Sequence, residues 1–474
     1  MDRTYVNLTI HEAARLLAEG ALSSLDLVEA TLQRIEETEG AIHAYALVLA
    51  DQAREAAWHA DQERARDVVR GPLHGIPIGV KDICATRGIP TEAGSRALAG
   101  FIPTADAAVV ERLREAGAVL IGKTVTHELA WGVNVPPTRN AWRPDYYPGG
   151  SSAGSGAAVA ARSAFGAIGT DTGGSIREPA SLNGVVGLKP TFGLVSRAGI
   201  LPLSPSLDHA GPLARTVLDC ALLLNAIVGH DPRDPGSRAV PATDYGAGLE
   251  GDVAGLTVGI ERSFYFGADV RDDVRAAVED ALDVLVRQGV RIVEVEAPDL
   301  DVMSTVATTI ILSESSAYHG RLLRERAADL DPATRRLLQL GELVPAAHYV
   351  TAQRARAVLC ARMRTLFDAH RLDALLSPTL PTTTIPINQA LVEDADGEDP
   401  MTAAYRYMAP ANITGQPALT VPCGFSSAGL PIGVQLLGRP FGERTVFRLG
   451  RAYERVHDWA AVRPSVRLAG DPAP

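Results

Sequence analysis

Three lysines stand among the 45 basic residues of this 474-residue chain, Lys81, Lys123 and Lys189, and the rest are arginine. An arginine keeps its proton in a protein, whereas a buried lysine can give its proton up. All three lysines fall between residues 71 and 215, where glycine is also dense: 12 of the chain's 44 glycines lie from Gly149 to Gly199. Ser151 and Ser175 place hydroxyls in that run. A serine nucleophile, a neutral lysine as base and backbone N–H groups aimed at a developing oxyanion are together sufficient for acyl transfer from an amide. Thr172, Gly173, Gly174 and Ser175 can turn successive N–H groups into one concavity suited to that oxyanion. Lys81 ends the apolar run Ile76–Lys81, so burial beside glycine-rich turns would lower its proton affinity, as a base requires.

Other chemistries are weighed against this one. A phosphate-cradling loop would explain the glycines, but the G-x-x-x-x-G-K-[ST] pattern is absent. Gly150–Gly154 matches G-x-S-x-G, with His209 as a base, yet the preceding RNAWRPDYYPGG is no strand, which that elbow requires. Cys84, three residues after Lys81, invites a Cys-Glu-Lys reading but lacks a turn motif of its own. Lys123 also ends a buried run, and spacing alone does not choose between it and Lys81. Lys189 reads as a structural partner for a carboxylate or carbonyl, and His74, His127 and His209 as core or loop residues.

The elements that must position these groups alternate between helix and strand. Residues 1–70 read as helical, with capping-box patterns at Thr9–Glu12 and Ser23–Asp26. Strands are expected at Ile76–Lys81, at AVLIGKT up to Thr124, and at AFGAIGTD before the turn Thr172–Ser175. Between these lie an amphipathic helix after Asp106 and a small-residue helix SGAAVAARSA. A strand from Gly255, a helix over Asp272–Gln288 and the strand VRIVEVEAP follow. Residues 300–372 read as variable helices on the substrate side, and an acidic loop, EDADGEDP, separates two last strands. No linker cuts the chain, so the expectation is one large α/β domain with a mixed central sheet covered by helices on both faces. Its segments are 1–70, the core 71–215, and 216–474.

A net charge of −11 and a pI near 5.5 argue against a nucleic-acid partner. No apolar run approaches the ~18 residues of a membrane helix, and no signal peptide is evident. Four scattered cysteines match no metal spacing and read as reduced thiols of a cytoplasmic protein.

The ordered strings Gly149–Gly156 (GGSSAGSG), Gly169–Arg177 (GTDTGGSIR) and Gly184–Pro190 (GVVGLKP) resemble the amidase signature family. Gly79–Asp82, Ser206–Pro212, Gly415–Pro422 and Leu430–Gln435 extend the resemblance over most of the chain. It implies a Ser-cisSer-Lys triad in which Ser175 forms the acyl ester, Ser151 follows a cis peptide and relays the proton, and Lys81 is the base. Ser152, Asp171 and Arg177 match positions that support the loop. It implies a serine hydrolase of a small amide, hydrazide, carbamate or ester, with no metal or organic cofactor, and a homodimer is compatible with it. The alternative within the family is the glutamine-hydrolysing A subunit of a tRNA-dependent amidotransferase. Two departures favour a stand-alone amidase: Tyr405 stands where that protein has an aspartate, and its Gly/Arg-rich segment is missing from 300–340. The aromatic residues Trp131, Trp142, Tyr146 and Tyr147 are expected near an acyl pocket.

Overall fold

The computed structural model describes residues 4–132, 134–390 and 400–464. Its strands are β1 (Tyr45–Val48), β2 (Pro77–Lys81), β3 (Val119–Thr124), β4 (Gly166–Asp171), β5 (Val186–Lys189), β6 (His209–Ala214), β7 (Thr257–Ile260), β8 (Arg291–Glu294), β9 (Ala374–Pro378), β10 (Ala418–Phe425) and β11 (Pro431–Gly438). They join in one sheet of order β1-β3-β2-β4-β6-β5-β10-β11-β9-β7-β8. All three segments of the chain contribute, so this is a single α/β domain. The sheet is mixed: β2 runs parallel to β3 and β4, whereas β6 is antiparallel to both β4 and β5.

Every residue of β2 to β6 is buried, which requires cover on both faces. From these pairings β2, β3, β4 and β5 all point the same way, so their C-terminal ends share one edge of the sheet. Lys81 and Lys189 are the last residues of β2 and β5, and Lys123 is the last but one of β3. That edge is where ligands bind in open α/β sheets, because the loops leaving parallel strands converge there.

Both capping boxes form: the Thr9 and Ser23 side chains accept from the N–H of Glu12 and Asp26, which reach back to the cap N–H. They start the helices Ile10–Ala18 and Ser24–Ile42. The first 70 residues are not wholly helical, however. Tyr45–Val48 adds β1 to the sheet edge antiparallel to β3, and the Tyr45 hydroxyl ties it to the Ser163 carbonyl at 2.6 Å. Residues 300–372 form the helices Leu300–Arg326, Pro332–Glu342 and Ala346–Ala369. The helix Pro400–Thr414 lies between β9 and β10, and the acidic loop before it falls outside the described residues.

Candidate active site

Lys81 is fully enclosed, and its Nζ donates to Ser151 Oγ and Thr170 Oγ1, both at 2.8 Å. Burial pushes its amine down to about 7, against the opposing pull of Cys84, Asp171 and Asp208. The Gly150–Ser151 peptide is cis. Ser151 and Ser152 are buried at the start of the helix Ala153–Ala160. Ser152 Oγ donates to the Thr170 carbonyl and accepts from the Thr170 N–H, at 3.1 and 3.2 Å. This pins the serine loop to β4, and Ser152 N–H donates to the Ser175 carbonyl at 3.2 Å, drawing the two loops together. Lys81 and Ser151 therefore meet directly. Ser175 lies alongside, half-buried, and its hydroxyl makes no hydrogen bond to another described residue. Catalytic hydrogen bonds of this type commonly tighten only once substrate is bound.

The turn after β4 is held by one carboxylate. Asp171 Oδ1 accepts from Gly174 N–H at 2.8 Å and Oδ2 from Ile176 N–H at 3.2 Å. Gly174 therefore leaves the expected set of oxyanion donors, since its N–H is spent on Asp171. Thr172, Gly173 and Ser175 keep N–H groups with no acceptor among the described residues. At Gly174 the backbone has φ +122, a conformation that L side chains rarely adopt.

Asp171 is held in turn by Arg177, whose Nε and Nη2 reach its two oxygens at 3.0 Å each. The other N–H groups of Arg177 go to Met408 O, Gln435 Oε1 and Asn412 Oδ1. All five donors are used and the side chain is fully buried, so Arg177 braces the loop and has no N–H free for another acceptor. Burial pushes the Asp171 carboxyl up, but the charge and hydrogen bonds of Arg177 outweigh it and hold the group well below the usual carboxylate range.

The remaining lysines separate by their partners. Lys123 pairs with Asp82 Oδ1 at 3.2 Å and donates to Cys84 O and Thr91 Oγ1. Lys189 donates to the carbonyls of Pro190 and Gln416. Only Lys81 faces the serine loop. Burial pushes the Cys84 thiol up to about 11, so it is no thiolate nucleophile at neutral pH. His127 packs beside the serine loop: its N–H donates to Ser151 O at 3.2 Å and its Nε2 shares a 3.0 Å hydrogen bond with the Tyr147 hydroxyl. Burial, with Lys81 nearby, drives its imidazole down to about 3, so it stays neutral.

Sequence reasoning missed Thr170, the second partner of Lys81, and Asp208. Asp208 accepts from Thr172 Oγ1 at 2.6 Å and from the N–H groups of Leu203 and Ser204. Both residues lie inside strings quoted for the family resemblance, GTDTGGSIR and SLDHAGP, which is the signal that could have found them.

A cavity of about 570 Å³ adjoins the loop at Thr170 and Thr172. Its walls come mainly from residues 197–206 and 233–236, with Glu314 contributed by the helix Leu300–Arg326. The four aromatic residues expected here do not line it. Trp142 packs against Phe425 and donates to Asn183 O, and Tyr147 is turned onto His127.

This site lies in a chain whose residues 26–447 match the family model described as Amidase. The chain belongs to the amidase family and is an enzyme acting on carbon–nitrogen bonds. It is 43% identical to the A subunit of glutamyl-tRNA(Gln) amidotransferase from Chloroflexus aggregans, over 98% of this chain and 99% of that protein. Among solved structures it is similar to the peptide amidase of Stenotrophomonas maltophilia, at 35% identity and TM-score 0.86, covering 98% of this chain and 99% of that one. It is also similar to the A subunit of glutamyl-tRNA(Gln) amidotransferase from Thermotoga maritima, at 31% identity and TM-score 0.83, with 98% and 99% covered.

These relatives overturn one set of expectations, that of a small-molecule enzyme standing alone or as a homodimer with no nucleic-acid connection. The curated relatives are one component of an enzyme named for glutamyl-tRNA. Net charge bounds what a chain's own surface attracts. It does not bound what an assembly containing that chain acts on, which is why the acidic balance misled. No helix among the described residues is long and apolar enough to cross a membrane.

Proposed function

We propose that this chain is the amide-hydrolysing A subunit of a glutamyl-tRNA amidotransferase, releasing ammonia from glutamine through an ester on Ser175. The end-to-end 43% likeness to a protein of that name carries this reading. In it, neutral Lys81 takes a proton from Ser151 Oγ as Ser151 takes one from Ser175 Oγ, and Ser175 Oγ attacks the amide carbon. The N–H groups of Thr172, Gly173 and Ser175 receive the oxyanion. Collapse expels the amine, which regains the proton from Lys81 through Ser151, and water then cleaves the ester by the same path. The direct Lys81–Ser151 hydrogen bond supports this relay. Four free thiols support a reducing, cytoplasmic setting.

One observation favours a second reading, an amidase for a small amide lacking an amino-acid head group. Tyr405 packs so closely on Gly173 that a Cβ there would lie 2.2 Å from Tyr405 Cε2. A bulky phenol thus fills the position at which the resemblance implies an aspartate, and Arg177 has no N–H left for a substrate carboxylate. Ammonia release from glutamine, measured beside a panel of uncharged amides, hydrazides, carbamates and esters, separates the two. Turnover of glutamine above the panel supports the first; turnover of an uncharged amide with none of glutamine replaces it with the second.

Either reading requires Lys81 neutral. Its proton affinity near 7 means that kcat/KM should rise with pH through about 7 and fall roughly tenfold per pH unit below it. A profile flat from pH 5 to 9 would remove Lys81 as the base.

A further inference from the structure

Away from the active site, a second cavity of about 230 Å³ lies between the first turn of the chain, the helix Ser24–Ile42, the turn at Ala160–Arg162 and Arg463–Pro464. Three arginines line it, Arg34, Arg162 and Arg463, against one carboxylate, Glu37. Glu37 pairs with Arg34 at 3.4 Å. Arg162 is only 6% exposed and makes no ion pair among the described residues. Its guanidinium instead donates to Asn7 O at 3.1 Å and Ala460 O at 2.6 Å.

Behind it Arg215, also 6% exposed, has no carboxylate within ion-pair distance among the described residues, although Asp219 and Glu12 attract it from further off, and its buried Nε has no partner. A buried cation with no anion in contact is costly, and two side by side more so. Burial first, then the charges of Arg215, Arg463 and Arg34, push Arg162 down to about 9 against the weaker pull of Asp458. The backbone adds a separate cost, because Arg162 sits at φ +63, a left-handed conformation uncommon outside glycine. Glycine would fit that turn more easily, so the position retains a guanidinium against both electrostatics and backbone preference.

We propose that this cavity is a binding site for a small oxyanion, a phosphate or carboxylate group, clamped by Arg34, Arg162 and Arg463. Guanidinium forks match both groups bidentately, and like charges gathered in a concave, partly enclosed space concentrate an anion there. The bound anion supplies the contacting countercharge that Arg162 and Arg463 lack among the described residues, where Asp458 acts on Arg162 only from a distance. Nothing in the site requires the chain to be an amidase, so it stands apart from the catalytic reading.

Titration calorimetry of the full chain with inorganic phosphate, at constant ionic strength, tests it, with succinate as a parallel arm that tells phosphate from carboxylate. One saturable site is expected for at least one of the two. Arg463→Gln, an exposed residue, should weaken that binding at least about fivefold, and Arg34→Gln/Arg463→Gln should abolish it, with the unfolding midpoint of each variant confirming its fold. No saturable heat from either anion, or unchanged affinity in the double variant, would overturn the proposal.

Discussion

Ser175→Ala is expected to lower kcat for amide hydrolysis by about a millionfold while leaving KM and the unfolding midpoint close to those of the parent. Removing the nucleophile from a triad costs roughly that much in other serine hydrolases, because the remaining members cannot work without it. The structural effect should be small, since the Ser175 hydroxyl bonds to no described residue and the loop is held by its backbone, by Asp171 and by Ser152. Ser151→Ala should act differently, because it leaves the buried Lys81 Nζ with Thr170 as its only side-chain partner. Rapid-quench kinetics and the mass of a trapped acyl-enzyme on Ser175 provide the check. If the alanine variant turns over at more than about a hundredth of the parent rate, another residue forms the ester.

The second large effect is on stability. Arg177→Met should cost about 3–5 kcal/mol, the usual result of removing one member of a fully buried ion pair and leaving the other charged. The unpaired Asp171 carboxylate would also loosen its hold on Gly174 and Ile176, so the turn Thr172–Ser175 should lose its shape and kcat should fall with stability. Urea unfolding measures the first loss. The double variant Asp171→Leu/Arg177→Met separates the two, because removing both charges should restore much of the stability without restoring activity. An Arg177→Met variant as stable as the parent would mean that the pair does not organise the loop.

The parts of this molecule that were legible share a local cause. β2, β3 and β4 are continuous apolar runs ending in Lys81, Thr124 and Asp171, and parallel strands buried on both faces take that form. β6 was hidden because His209–Ala214 carries Gly211 and Pro212, which argue against a central strand until β4 and β5 are seen to flank it. β1 and β5 are decided by pairing with distant segments, β1 with β3 and β5 with β6 and β10.

The same division holds in the site. Residue types and motif order singled out Lys81, Ser151, Ser175, Asp171 and Arg177. They could not tell that the Gly174 N–H turns inward to Asp171, because the direction of an amide depends on backbone torsions and not on residue type. Nor could they place the cavity beside the loop, whose walls are assembled from segments more than a hundred residues apart in the chain.

The cavity meets the strand ends at Thr170, Thr172 and His209 but is walled mostly by other segments, which bears on heredity. Lys81 and Asp171 are sealed at the ends of strands, with Ser151 and Arg177 buried beside them, whereas the cavity wall is mostly segments 197–206 and 233–236. On the proposed function, mutations in those segments would change what is cleaved without disturbing how it is cleaved, so descent would drift in diet while its chemistry stays fixed. A family in which this chain is 31% identical to one component of an amidotransferase and 35% identical to a peptide amidase, at nearly equal structural likeness, has the spread that such a division of labour permits.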